Sequence, residues 1–235
     1  MGINWKDNMN ELGGAFMLSW VVLGITTMGD VSKIDGDGIH ATVVGEIGWT
    51  GLTLATAMVV AVAWMAFKGA HILPVVTWSH MMTGDMSDTE GNWMANGMRL
   101  VAQVIGAMLG IVLLTETAGI NGAVFADSMT IAIDGMPWGI LGMIAAGAIW
   151  WQIHTRCETE WVSAIALMGL GGMMTINGAH TMGASIVDGG TEIVNVLVNW
   201  ITDGLFVGLG ALLGVKCDEM IDNMDSSDEE EAAAE

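Results

Sequence analysis

Positively charged side chains are scarce in this chain: its 235 residues include only 6 Lys and Arg together, against 26 Asp and Glu. A nucleic-acid-binding protein needs a basic patch that neutralises phosphates, so the sequence argues against nucleic acid as a partner. Cysteine is scarce as well, and Cys157 and Cys217 belong to no spacing motif that would indicate a disulfide or a zinc site. No nucleophile–base or paired-carboxylate arrangement is recognisable, so we predict no enzyme activity, no metal and no cofactor.

Charged residues of both signs make up only 14% of the chain, whereas soluble domains carry roughly 25%. Residues 12–29, 51–67 and 100–115 contain no charged side chain at all. Each of these runs is close to the roughly 17–25 apolar residues that cross a bilayer as a helix. The sequence therefore predicts a multi-pass membrane protein whose partner is the lipid bilayer.

We predict an all-α membrane protein with six transmembrane helices and two shorter apolar pieces. The predicted spans are 11–29, 45–66, 97–115, 138–154, 161–177 and 198–215. The shorter pieces, 74–83 and about 183–193, each follow a "GAH" phrase and could cross only about half of the bilayer. Entering from opposite faces, they would meet as re-entrant half-helices. Three spans and a half-helix thus occur twice, and because three is odd, the second copy must be inverted.

The predicted membrane domain covers 1–217, with inverted halves at about 1–115 and 138–217. Residues 218–235 hold nine acids and no base, which predicts a disordered acidic tail. If the N-terminus is inside, five of the six basic residues lie at cytoplasmic ends of the spans, as the positive-inside rule requires. We therefore expect a multi-pass protein of the plasma membrane with both termini in the cytoplasm.

Three stretches of the sequence resemble the aquaporin (major intrinsic protein) family. "KGAHILPVVT" (68–77) is similar to the family's "SGAHLNPAVT", "ELGGAFMLSW" (11–20) to its opening "E-x-x-G-T-F-x-L", and "VAQVIGAMLG" (101–110) to its "AQxxGA". The order and spacing of these matches extend over about 11–215. The resemblance implies an aquaporin-like channel domain over 1–217, conducting small neutral solutes passively, in a homotetramer with one pore in each subunit.

At the positions that form the pore centre and the selectivity filter in the family, this sequence differs from the family's pattern. At the two Asn-Pro-Ala motifs, the pore centre would consist of Leu73, Pro74 and Val75, and of Met182, Gly183 and Ala184. The selectivity filter would consist of Thr53, Leu170, Ala179 and Ser185, with Ser185 in place of the family's arginine. These substitutions would make the centre drier and the outer mouth wider and uncharged, so we expect relaxed selectivity for water, glycerol-like solutes or dissolved gases such as ammonia. The loss of both asparagines and of the arginine leaves an alternative open: a non-conducting protein of this fold with a structural or assembly role.

Four polar residues are expected to support the pore loops. The resemblance implies that Glu11 accepts hydrogen bonds from a re-entrant loop, with a similar role for Gln103, whereas snorkelling to the interface is the alternative for Glu11. His71 and His180 are expected to hydrogen-bond backbone groups rather than to bind a metal or relay protons. His80, on the first short piece, could face a cytoplasmic vestibule as a pH-sensitive gate, or be an ordinary exposed histidine.

Overall fold

Residues 4–28, 51–118, 138–170, 179–190 and 193–234 are described by the computed structural model of this chain. Within these ranges the regular structure is entirely helical, which confirms the all-α prediction. The α-helices are α1 (Trp5–Met28), α2 (Gly51–Ala66), α3 (Pro74–Thr83), α4 (Ala95–Ala118), α5 (Trp138–Arg156), α6 (Glu160–Gly169), α7 (Ala179–Val187) and α8 (Ile193–Ala234). A π-helical turn, Thr89–Met94, leads into α4.

Each predicted span falls on a described helix, in whole or in part. Residues 29, 45–50 and 171–177 of those spans lie outside the described residues. Within the described part of the chain, Thr89–Thr117 and Ile193–Asn223 have the length and the apolar composition of membrane-crossing helices. These two helices suggest that the protein is membrane-associated, while the full set of spans stays a prediction.

The helices pack in a pattern that occurs twice. α1 packs along α4, and α5 packs along α8. The short helix α3 contacts α8, the short helix α7 contacts α4, and α2 contacts α6. Exchanging α1–α4 with α5–α8 therefore leaves these pairings unchanged, and each half of the chain contributes its short helix to the last helix of the other half.

Glycines let the paired long helices approach each other closely. A Cβ atom on Gly106 of α4 would overlap the carbonyl oxygen of Leu12 on α1. In the other pair, a Cβ atom on Gly210 of α8 would overlap the carbonyl oxygen of Ile144 on α5. Small residues permit such close helix packing in lipid. The two contacts also define a correspondence between the halves, in which position 12 matches 144 and position 106 matches 210.

A cluster of buried apolar side chains lies between α2, α3, α5, α6 and α8. Trp150 of α5 and Leu167 of α6 have no exposed surface, and Leu73 and Val75 at the start of α3 belong to the same cluster. Close packing of side chains this large stabilises the helix contacts through van der Waals attraction. The cluster therefore fixes the beginning of α3 within the protein.

The first short helix lies where the sequence predicts it, from Pro74 to Thr83. Proline is favoured at this first position because the N–H group that it lacks would have no partner in the helix. The preceding residue, Leu73, is extended, and its side chain makes no capping hydrogen bond. Ile72 has a φ of +65°, a conformation that β-branched residues rarely adopt, so the turn into α3 is strained.

The second short helix begins and ends earlier than the sequence indicated. It covers Ala179–Val187 rather than about 183–193. Gly189 and Gly190 have φ values of +78° and +84°, and the N–H group of Gly190 donates back to the carbonyl oxygen of Ser185 at 2.8 Å. Glycines in this left-handed conformation end helices, which explains why α7 stops before them.

Helix α8 continues to Ala234 and thus covers residues 218–234, for which disorder was expected. Near the beginning of this segment, the carboxylate of Asp218 accepts a hydrogen bond from Arg156, at the end of α5, at 2.5 Å. Glutamate and alanine, which dominate the end of the segment, are good helix formers. The acidic segment thus continues the apolar helix, while its assignment as a separate cytoplasmic tail stays a prediction.

We expect Gly106→Ala to destabilise the protein and Gly97→Ala, on the same helix, to leave it unchanged or slightly more stable. The new methyl group at 106 would force α1 and α4 apart, at a cost of about 1–3 kcal/mol, whereas a Cβ atom at 97 meets no atom within 4 Å. Thermal unfolding in detergent, followed by the helical circular dichroism signal, measures the difference. Equal melting temperatures for the two variants would contradict the close approach at Gly106.

Candidate functional site

The buried carboxylate of Glu11 on α1 anchors the loop that precedes α3. Its two oxygens accept hydrogen bonds from the backbone N–H groups of His71 and Ile72, at 2.6 and 2.7 Å. Glu11 has no exposed surface, so its charge requires partners within the protein. The carboxylate thereby holds the strained turn at Ile72 and fixes the start of α3.

Two side chains of α4 complete the set of donors around Glu11. Arg99 donates to Glu11 at 3.1 Å and, from the same nitrogen, to the carbonyl oxygen of Gly69 at 2.9 Å. Gln103 Nε2 donates to Glu11 at 2.8 Å and to Thr77 Oγ1 at 2.9 Å. The positive charge of Arg99 compensates the buried negative charge. As a result, α1, α3, α4 and the loop before α3 are joined by one hydrogen-bond network, which we call the Glu11 network.

The structure brings together three of the four residues that were expected to support the pore loops. Glu11 and Gln103 form the Glu11 network, and His71 contributes its backbone N–H group. His180 lies on α7 and takes no part in these contacts. Arg99 also belongs to the network, although the sequence analysis counted it only among the five basic residues at cytoplasmic ends of the predicted spans.

The residues at the two motif positions are buried and mostly apolar. Leu73, at the start of α3, is 3% exposed, and Met182 is 6% exposed. Met182 lies inside α7 rather than at its beginning, because α7 starts at Ala179. The other four motif residues, all inside the short helices, are also buried: Pro74, Val75, Gly183 and Ala184. Apolar side chains thus stand where asparagines would supply hydrogen-bond donors.

The expected filter residues do not share one environment. Ala179 and Ser185 on α7 are buried, and Ser185 has no exposed surface. Leu170, directly after α6, is half-buried. Thr53 belongs to the first turn of α2, but its side chain is not among those that are described.

A cavity of about 270 Å³ opens beside the loop that Glu11 anchors. Its walls come from eight residues: Trp64, Gly69, Ala70, His71, Val76, His80, His154 and Glu160. The last turns of α3 and α5 supply His80 and His154, and the first turn of α6 supplies Glu160. We call this space the histidine cavity.

Aromatic rings form the packed wall of the histidine cavity. The rings of His71 and His80 stack face to face, with centroids 4.1 Å apart and planes 2° apart. Trp151 meets His80 edge-on at 4.9 Å, and Trp150 stacks on His154 at 4.9 Å. These contacts hold the imidazoles in fixed orientations. Among the described residues, no group of three or more His, Cys, Asp or Glu is arranged for a metal ion.

The loop after α3 fixes the end of the helix that carries His80. Asn92 donates to the carbonyl oxygens of Met81 and Asp85, at 2.9 and 3.0 Å. The carboxylate of Asp85 accepts hydrogen bonds from the hydroxyl and the backbone N–H group of Ser87, and these lower the pKa of Asp85. The turn is therefore ordered by its own polar side chains.

Some residues of this region escaped the sequence analysis. His154, Trp64 and Glu160 lie far apart in sequence, and only the packing of distant helices brings them to one cavity. By contrast, Asn199 and Asp203 are buried on α8, four residues apart and therefore on one face. An acid inside an apolar run is usually functional, and this signal could have drawn attention to Asp203.

Comparisons with known proteins assign no family to this chain. No protein-family model matches it, and no curated protein matches it. The likeness to aquaporins therefore depends on the quoted motifs alone, and the function has to be inferred from the geometry.

We expect Glu11→Gln to destabilise the protein by about 1.5–3 kcal/mol, because the amide replaces one acceptor oxygen and leaves Arg99 without its buried counter-charge. The matched control is Asp7→Asn, which removes the other carboxylate that Arg99 contacts, at 3.2 Å. Asp7 is 37% exposed, so its loss should cost under about 1 kcal/mol. Melting temperatures in detergent measure both effects, and similar losses would show that Glu11 is not the anchor.

Proposed function

We propose that this protein is a passive channel for small neutral solutes, built on the aquaporin plan, in the plasma membrane with both termini in the cytoplasm. The observation that carries the proposal is the exchanged packing of the two short helices: α3 lies against α8, and α7 lies against α4. Each short helix would cross only half of a bilayer. Entering from opposite faces as re-entrant half-helices among six spans, they would form one site near the middle of the membrane.

The Glu11 network supports this placement of the loop before α3. Non-helical backbone is tolerated at membrane depth only where the protein satisfies its polar groups or where it lines a wet cavity. Glu11 accepts the N–H groups of His71 and Ile72, Arg99 binds the carbonyl oxygen of Gly69, and Trp64 Nε1 donates to that of His71 at 2.9 Å. The polar backbone groups of the loop that would enter the membrane therefore have hydrogen-bond partners within the protein.

The outer faces of the long helices support contact with lipid or with neighbouring subunits. Large apolar side chains are exposed along α4 at a spacing of three or four residues: Val101, Ile105, Leu109 and Val112. On a helix this spacing produces one continuous apolar stripe. A stripe of this kind suits a bilayer or the subunit interface of a homotetramer, which we propose as the assembly.

Selectivity for neutral solutes follows from the direction of the half-helices. A helix N-terminus carries roughly half a positive charge and unpaired N–H groups. Two such ends near the pore centre would repel cations, including protons carried along a water wire. The backbone produces this field, so it persists although Leu73 stands where the family has asparagine.

A second candidate function is favoured by the burial of the pore-centre side chains. Leu73, Met182 and Ser185 are 3%, 6% and 0% exposed. Tight apolar packing of this kind would act as a hydrophobic constriction that excludes water. The protein would then be a non-conducting member of the fold, with a structural or assembly role.

Stopped-flow measurements on proteoliposomes, with water, glycerol and ammonia as solutes, separate the two functions. For a channel, we expect flux above that of empty liposomes for at least one solute, and a several-fold increase in Leu73→Ala and Met182→Ala, because the constriction widens. Leu109→Ala is the matched control, since its side chain lies on the outer stripe of α4. Flux only in the two pore-centre variants would establish the non-conducting candidate. Absence of flux in every protein would refute the channel.

A further inference from the structure

The histidine cavity presents an unused hydrogen-bond acceptor, as the contacts of Thr77 reveal. The single hydroxyl hydrogen of Thr77 is directed at the carbonyl oxygen of Leu73, 3.4 Å away, and the same oxygen already accepts from Gln103 Nε2. His71 Nδ1 lies 3.2 Å from Thr77 Oγ1, and we assign Nδ1 as the donor in this contact, because the hydroxyl hydrogen is directed at Leu73. A neutral imidazole that donates from Nδ1 carries a lone pair on Nε2.

His71 Nε2 is available to a ligand. None of the described residues hydrogen-bonds to this atom, although His71 is only 9% exposed and lines the cavity. A bound molecule that donates a hydrogen would therefore find an acceptor in the cavity wall. The cavity volume of about 270 Å³ is ample, because an apolar cavity of about 150 Å³ can hold one benzene molecule.

The one charge that lines the cavity is negative. Glu160 is the one charged side chain among its lining residues. His80 and His154 lie in the last turns of α3 and α5, where the helix dipoles place partial negative charge. Arg99, the nearby cation, is already paired with Glu11 and Asp7.

The Trp64 ring adds a surface that attracts cations. Its Nε1–H donates to the carbonyl oxygen of His71 at 2.9 Å, and its ring lies 5.6 Å from that of His154, so the part of the ring that lines the cavity offers a π system and no free donor. Aromatic faces attract ammonium groups by their quadrupole. A ligand that donates a hydrogen, carries a positive charge and is small enough for the cavity belongs to one class of molecule, the small protonated amines.

We propose that the histidine cavity binds a small protonated amine of the ammonium or methylammonium class, which donates an N–H to His71 Nε2 while Glu160 supplies the counter-charge. This binding goes beyond the proposed channel and does not depend on conduction. It is measurable on solubilised protein whether or not solutes cross the membrane.

Equilibrium dialysis of radiolabelled methylammonium against the purified full-length protein in detergent tests the proposal. The experiment is run at pH 8, where an ordinary imidazole is neutral and methylammonium stays protonated. We expect one saturable site per chain. Ammonium should displace the label, whereas methanol, which lacks the charge, and tetramethylammonium, which lacks the N–H group, should not.

Two carboxylate variants make the test specific to the cavity. Glu160→Gln should weaken methylammonium binding by about tenfold, because it removes the counter-charge. Glu158→Gln is the matched control: Glu158 is exposed, precedes Glu160 by two residues and does not line the cavity, so binding should be unchanged. His71→Phe keeps a stacked ring, removes the acceptor and should abolish binding, with the melting temperature as a check on folding. Absence of saturable binding, equal losses in the two glutamate variants, or displacement by tetramethylammonium as effective as by ammonium would overturn the proposal.

Discussion

The buried charge of Glu11 is the constraint on which this region of the structure depends. Removing a carboxylate from water costs several kcal/mol unless other groups compensate it. Glu11 gains that compensation from Arg99, Gln103 and two backbone N–H groups, which belong to parts of the chain up to 92 residues away. These contacts also explain how the strained φ of Ile72 persists, since strain of about 1–3 kcal/mol survives only where the surroundings determine the conformation.

Because Glu11 anchors the loop before α3, the direction of this helix within the protein is fixed. Its two ends differ in their partial charge. Its N-terminus, next to Leu73, is buried in the apolar cluster, and its last turn presents His80 to the histidine cavity. The positive end of the helix would oppose a cation at the pore centre, while the negative end would favour one in the cavity. The same helix therefore fits both proposals, a channel that would reject cations and a cavity that would bind a small amine.

The sequence could predict those features that neighbouring residues mark, such as the ends of a helix, but not those that distant helices form together. Pro74 and Gly84 mark both ends of α3, so its bounds were predicted correctly. The end of α7 was also marked, by Gly189 and Gly190, but the apolar run was extended past them. The histidine cavity could not be predicted, because it forms only when α2, α3, α5 and α6 assemble and no spacing rule relates their residues.

The two halves of the chain share their packing but not their chemistry. In the correspondence defined by the close helix contacts, position 12 matches 144 and position 106 matches 210, so Glu11 matches Met143 and Arg99 matches Asp203. Met143 and Asp203 are 3% and 4% exposed, so both side chains are buried in the second helix pair, as Glu11 is in the first. The first half thus has a buried acceptor on its first helix and a cation on its last. The second half has an apolar residue, Met143, on its first helix and a buried acid, Asp203, on its last. The buried acid thus lies on opposite members of the helix pair in the two halves, so a carboxylate anchor like Glu11 is not repeated at position 143.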